Sequence, residues 1–292
     1  WSISYDQLIR LWSLGALLIG LGAIPFGWLS DRWSRSGTMT IMFIGMGLTS
    51  ILCGLSTSVS SLFISLSLLG LFCSIYHPVG IPWVINSANK QGRALGINGI
   101  FGGVGIGSGA FLAGTLTELF NWQLAFILPG LISIIIGVIL IYLILIDKIS
   151  YKNYFINNFK RDHSRNEMIL IALIMLMSMF ALGLSFHNTQ TSLPKVFEIR
   201  IDNINSIQIG LMIGIIYFIS GATTFIGGLF ADRFNLKIIY LIGIFLQFPC
   251  YLGIAYVSGY SLVVLCILAA VFNASILPTE NLLLSKFTPQ KY

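Results

Sequence analysis

Apolar runs of membrane length alternate with short polar breaks along almost the whole chain. An α-helix needs about 20 mostly apolar residues to cross a bilayer. Nine stretches meet that requirement: 8–29, 38–57, 61–88, 95–118, 122–146, 167–190, 206–230, 237–257 and 260–285. The pattern predicts nine transmembrane helices and an all-α membrane fold.

Basic residues fall unequally on the two sides that the breaks define. One side receives Arg32, Arg35, Lys90, Arg93, Lys148, Lys152, Lys160, Arg161, Arg165, Arg233, Lys237, Lys286 and Lys291. The other receives Lys195 and Arg200, with Arg10 near the outer end of the first stretch. Basic loops stay in the cytoplasm, so the first side is assigned as cytoplasmic. The break at 147–166 is the longest and most basic. With Tyr151, Tyr154, Phe155 and Phe159 it reads as a short helix in the headgroup plane. It divides an N-terminal bundle, 1–146, from a C-terminal bundle, 167–292.

Composition narrows the class further. Hydrophobic residues make up 56% of the chain and charged ones 9%, with a mean hydropathy of +0.90. A soluble domain carries roughly 25% charged residues, so lipid must be the main solvent here. The net charge of +6 comes from loop clusters, not from a basic face, which excludes nucleic acid as a partner. Cys53, Cys73, Cys250 and Cys266 sit inside apolar runs with no CxxC, and read as small buried hydrophobes. No metal motif, nucleophile elbow or phosphate loop is present, so no cofactor and no metal are expected.

An internal repeat organises the chain. Gly27-Trp-Leu-Ser-Asp-Arg-Trp33 recurs as Gly228-Leu-Phe-Ala-Asp-Arg-Phe234, with Asp31 and Asp232 separated by 201 positions. At the same spacing Gln7 matches Gln208, Gly20 matches Gly221 and Arg32 matches Arg233. Two like-oriented halves follow, a parallel repeat.

Gly27-x-Leu29-Ser30-Asp31-Arg32-x-x-Arg35 resembles the signature loop of the major facilitator superfamily, between its second and third helices. Gly228-x-x-Ala231-Asp232-Arg233 resembles the weaker copy between the eighth and ninth. The resemblance implies two pseudo-symmetric bundles with nine of twelve helices present. The first, eleventh and twelfth would lie outside this stretch, and both ends, Trp1 and Tyr292, read as cut. Ser74-Ile-Tyr76-His77-Pro78, followed by Gly92-Arg-Ala-Leu-Gly96, is similar to fosmidomycin-resistance-type exporters. Val79 stands where those exporters usually carry an acidic residue, and Gly107-Ser108 where they have Gly-Pro.

The resemblance gives candidate roles to particular residues. Gly27, Asp31, Arg32, Arg35, Gly228, Asp232 and Arg233 form the expected gating loops, locking the cytoplasmic side in one state. Asp31 and Asp232 stand just before the second and eighth stretches, where a carboxylate suits a helix N-terminus. The bland alternative is a helix cap with topology charges. In the third and ninth stretches, His77-Pro78 and Pro278-x-Glu280 lie at comparable depth. Proline frees carbonyls near the midplane, and an ionisable group inside a bilayer is a functional candidate by default. By resemblance the third, sixth and ninth stretches line the central cavity, which makes His77 and Glu280, with Tyr76 beside them, candidates for substrate contact or proton coupling; the alternatives are a hydrogen-bonded structural His and a Glu paired with a cytoplasmic Lys. Asn273 reads equally as a cavity amide or as helix packing. His187, Asn188 and Gln190, at the outer end of the sixth stretch, read as a substrate rim or as interfacial polar groups. Arg10 reads as an anion contact or a snorkelling end residue. Gly99, Gly103 and Gly107 recur at four-residue steps, the spacing that lets helices approach closely.

Together these features predict alternating-access transport of a small organic solute, proton-coupled and directed outward, by a monomer in a bacterial inner membrane. Two alternatives stand: import of an organic anion by proton symport, and a polytopic membrane enzyme built around His77 and Glu280.

Overall fold

The computed structural model describes residues 4–150 and 165–287. Every regular element among them is helical. In chain order these are α1 (Tyr5–Arg32), α2 (Arg35–Gly54), α3 (Val59–Cys73), a turn of π-helix (Tyr76–Gly80) and α4 (Ile81–Ser87). There follow α5 (Gln91–Leu119), α6 (Leu124–Leu145), α7 (Arg165–Arg200), α8 (Ser206–Ala231), α9 (Leu236–Tyr256) and α10 (Tyr260–Phe287). Among the described residues nine helical spans, with α3, the π-turn and α4 counted as one, are long and apolar enough to cross a membrane. The protein is an integral membrane protein. The aromatic break Tyr151–Phe159 lies outside the described residues.

Helix boundaries differ from the sequence expectation in two informative places. The first helix runs on through Asp31 and Arg32, so the first signature motif begins inside a helix. The seventh helix does not stop at Gln190 but continues through Pro194 to Arg200, for 36 residues. At 1.5 Å per residue that is about 54 Å, well beyond a hydrocarbon core of about 30 Å. Lys195 and Glu198 pair at 3.0 Å along its last turns. That spacing lets a polar segment stay helical.

The described residues group into two compact units, one drawn from 4–86 and 116–150, the other from 87–115 and 165–287. In the first, α2 lies along α6 and α1 along α3. Small residues permit both contacts. A Cβ on Gly54 would sit 2.8 Å from the carbonyl of Gln123, and one on Gly15 would sit 2.8 Å from that of Leu66. Two hydroxyls tie α2 to α6. Ser50 donates to the Phe126 carbonyl and Ser133 to that of Phe43, each at 2.7 Å. Such bonds replace solvation that lipid cannot supply.

In the second unit α10 packs between α8 and α9. The first part of α5 lies against α8 through its glycines. A Cβ on Gly103 would meet Gly221 Cα at 2.5 Å, and one on Gly107 would meet the Gly214 carbonyl at 2.8 Å. A buried cluster of Leu193, Phe197, Ile213, Ile216, Tyr217, Leu262 and Cys266 forms the apolar interior.

The repeat extends into local hydrogen bonding. Ser74 donates to the Leu71 carbonyl and Ser275, 201 positions later, donates to that of Phe272. Beyond that pair the spacing changes, because Pro78 and Pro278 stand 200 apart. The π-turn at Tyr76–Gly80 accommodates the one extra residue of the first half.

Candidate functional site

Neither signature aspartate caps the helix that follows it. Ser34 caps α2 by accepting from Gly37 N at 3.1 Å, and Asn235 caps α9 by accepting from Lys237 N at 3.0 Å. Both are good caps in extended conformation. The aspartates are thereby left for other contacts.

Asp232 reaches the start of a different helix. Its two carboxylate oxygens accept from Gly92 N and Arg93 N, both at 2.8 Å. These are orphan donors of the first turn of α5, and the carboxylate also meets the positive end of that helix dipole. The neighbouring glycine makes the approach possible. A Cβ on Gly92 would lie 2.5 Å from the Gly228 carbonyl and 2.6 Å from Asp232 Oδ1. Arg233 is exposed.

Asp31 has a different partner. It pairs with Arg35 at 3.7 Å, one turn on, and Arg35 is 7% exposed. Arg32 lies over the Trp28 ring, 4.6 Å from its centroid, a cation–π geometry. Gly27 faces Pro78, which would stand 3.2 Å from a Cβ placed there.

Glu280 is buried at 6% exposure, two residues after the fully buried Pro278. Among the described residues it has no cationic partner. Tyr240 of α9 donates to its Oε1 at 3.3 Å, and Ser178 of α7 hydrogen-bonds to the Tyr240 hydroxyl at 2.5 Å. A chain of two hydrogen bonds thus links α7, α9 and α10. Sequence reading singled out Glu280 but missed Tyr240 and Ser178, because nothing in local spacing relates them.

The other cavity candidates are spread more widely. His77 is exposed on the π-turn, with Tyr76 edge-on at 5.4 Å. On the spacing of the two prolines Glu280 corresponds to Gly80, because of the extra residue at the π-turn. His187 and Asn188 are exposed, and Gln190 half-buried, within α7 and not at its outer end. Arg10 is exposed and pairs with Asp6 at 3.9 Å. Asn273 is buried and donates to Gln247 Oε1 at 3.2 Å. It also lines a cleft with Phe186, Thr189, Tyr217, Ser220 and Tyr251. Among the described residues no cluster of side chains could hold a metal ion.

Residues 1–292, the whole chain, match the Major Facilitator Superfamily. The chain belongs to this family. A riboflavin transporter, RibZ, of Clostridioides difficile is 34% identical over 143 residues, 48% of this chain and 30% of its own length. An uncharacterised transporter of Buchnera aphidicola is 25% identical over 256 residues, 84% of this chain and 58% of its own. The 4-hydroxybenzoate transporter PcaK of Pseudomonas aeruginosa is 28% identical over 133 residues, 44% and 30%. The matched stretch thus spans less than two thirds of each of these relatives. Among solved structures, a bacterial homologue of the human lysosomal transporter Spinster, inward-facing and occupied, superposes with a TM-score of 0.62 at 15% identity. That match covers 96% of this chain and 66% of the other, and it shows the fold. Family membership and the transporter names of these relatives point to a transporter and away from the membrane enzyme built on His77 and Glu280.

Proposed function

We propose that the protein exports a small organic solute across a bacterial inner membrane, as a monomer, by alternating access driven by protons. The observation that carries this reading is Glu280, a carboxylate at 6% exposure inside an apolar bundle, held by Tyr240 with no cation beside it among the described residues. An ionisable group so placed is expensive to keep unless it serves a step in transport. A group that takes up a proton and gives it up on opposite faces couples the gradient to the solute. Ser178 and Tyr240 give the chain of hydrogen bonds two polarities. With Glu280 ionised, Tyr240 donates to it and Ser178 donates to Tyr240. With Glu280 protonated, both directions reverse.

Export is favoured over import by relatives named for resistance and export. A puromycin resistance protein of Streptomyces alboniger is 26% identical over 119 residues, and a tetracenomycin C resistance and export protein of Streptomyces glaucescens is 27% identical over 130. The similarity of Tyr76-His77-Pro78 to exporter helices agrees. Anion import by symport has one argument, the 4-hydroxybenzoate transporter relative, but Arg10 already pairs with Asp6.

Asp232 and the start of α5 serve as the cytoplasmic latch in this reading. Asp31, Arg32 and Arg35 form its counterpart in the first half. The deciding experiment loads inside-out vesicles containing the protein with an imposed proton gradient and screens aromatic solutes for gradient-driven uptake. Accumulation that collapses with a protonophore supports the proposal. Uptake indifferent to the gradient overturns proton coupling.

A further inference from the structure

The bond between Asp232 and α5 gathers cations from two distant parts of the second unit. Because Asp232 accepts from Gly92 N and Arg93 N, the start of α5 and the turn between α8 and α9 come together at the cytoplasmic end. Lys90 lies just ahead of Arg93, its carbonyl accepting from Ala94 N at 3.0 Å. Arg233 adjoins Asp232, and Lys237 follows on the first turn of α9. The side chains of Lys90, Arg93, Arg233 and Lys237 are all exposed.

Among the described residues none of these four side chains makes an ion pair or a hydrogen bond. The carboxylate in their midst is spent on main-chain N–H groups. Glu167, at the start of α7, is engaged elsewhere, and Glu280 is buried with Tyr240. The matching motif of the first unit is arranged differently. There Arg35 is buried beside Asp31, and Arg32 lies over the Trp28 ring. Topology alone does not account for the contrast. The positive-inside bias asks only that cations stay on one side of the membrane. It does not require that two loops bring theirs to one place while the local counter-charge is withdrawn.

Apolar surface adjoins the charge. Phe230 and Phe234 are 48% and 62% exposed, and their rings meet edge-on at 5.7 Å. Arg233 and Lys237 are interleaved with them along the chain. Long cationic side chains can lay their stems on such a surface and hold their heads in the polar layer.

We propose that this patch binds an anionic phospholipid of the cytoplasmic leaflet, with its phosphate among Lys90, Arg93, Arg233 and Lys237 and an acyl chain along Phe230 and Phe234. A zwitterionic lipid would bring its own ammonium into an excess of cations. A free phosphate would leave the phenyl rings uncovered. An anionic headgroup also relieves the repulsion between the two segments that Asp232 joins. Each cation near such a headgroup strengthens binding about fivefold. The proposal rests on the charge pattern and not on the direction or coupling of transport proposed above.

The test titrates the full chain in nonionic detergent micelles at low salt with fluorescent phosphatidylglycerol and, separately, with fluorescent phosphatidylcholine. Phosphatidylglycerol should bind saturably and at least tenfold more tightly. Lys90→Gln and Lys237→Gln, one from each side of the Asp232 bond, should each weaken it about fivefold and leave phosphatidylcholine unchanged. Lys195→Gln removes the same charge from the opposite end of the unit, where Lys195 pairs with Glu198, and should change nothing. Thermal melts of the variants show that they remain folded. A hundredfold excess of inorganic phosphate should not displace the lipid. Equal binding of the two lipids overturns the proposal. So does a loss in Lys195→Gln as large as in Lys90→Gln, which would show net charge alone at work. Displacement by inorganic phosphate would assign the patch to a free anion and overturn it as a lipid site.

Discussion

Asp232 holds the first turn of α5 with both carboxylate oxygens, accepting at 2.8 Å from the main-chain N–H groups of Gly92 and Arg93. The residues are 140 and 139 positions apart. The bond uses no side chain of α5. It depends on the backbone of that helix and on the absence of a side chain at residue 92.

Two charge-assisted bonds to one helix end contribute roughly 2 kcal/mol or more over a neutral cap. Asp232→Asn keeps the shape but offers one oxygen, with an amide nitrogen facing the second donor. We expect transport to fall about tenfold at unchanged membrane abundance, and Gly92→Ala to fall further because its Cβ meets Asp232 itself. Asp31→Asn should have a smaller effect in this chain, since its ion pair with Arg35 is longer, at 3.7 Å. Transport rates beside immunoblots of the membrane fraction would check this. Normal rates in both Asp232→Asn and Gly92→Ala would remove the latch.

The glycine-rich face of α5 leads to a second expectation. A Cβ at Gly103 would meet Gly221 Cα at 2.5 Å and the Tyr217 carbonyl at 2.6 Å. Backbone atoms cannot swing aside as a side chain can, so the helices must separate. Gly103→Ala should lower the melting temperature in detergent by several degrees, about 1–3 kcal/mol of overpacking. Gly105→Ala, where nothing lies within 4 Å, should be neutral. A matched pair of melts distinguishes them.

The helices were legible because lipid imposes a continuous apolar run on each of them, and the repeat was legible because its motif survives in both halves. The partner of Asp232 was not, since it depends on which helices meet. The length of α7 misled because Pro194, Lys195 and Arg200 look like a loop. The helix absorbs them through the Lys195–Glu198 pair and a clamp at Arg200. On a constant spacing of 201 Pro278 falls on His77, not on Pro78. The change from 201 between the serines to 200 between the prolines was the available signal of a bulge, and the π-turn is its structural form.

Arg200 closes the far end of α9. Its Nη1 donates to the Ile254 carbonyl at 2.8 Å and to that of Ala255 at 3.3 Å, while its own carbonyl accepts from Gly259 N at 2.8 Å. A cation at a helix C-terminus that also binds its last carbonyls is stabilising. Arg200→Gln should lower the melting temperature by a few degrees without changing solute affinity. A shift in affinity with unchanged stability would assign Arg200 to the solute path instead.

Glu280 and Tyr240 provide the sharpest test of coupling. Glu280→Gln keeps the volume of the side chain and its bond to Tyr240 but can neither gain nor lose a proton. Accumulation driven by a proton gradient should vanish, to below about a hundredth of the native rate, while exchange of labelled for unlabelled solute, which needs no net proton movement, should persist. Tyr240→Phe removes the hydroxyl between Glu280 and Ser178 while leaving the carboxylate in place. It should slow gradient-driven transport by about fivefold to tenfold, as expected for one hydrogen bond in a relay. Ser178→Ala should have a smaller effect in the same direction, because it acts on Glu280 only through Tyr240. Counterflow and gradient-driven uptake measured in the same vesicles separate these outcomes. Gradient-driven accumulation at the native level in Glu280→Gln would leave the carboxylate as a buried structural group and move the search for the proton carrier to His77.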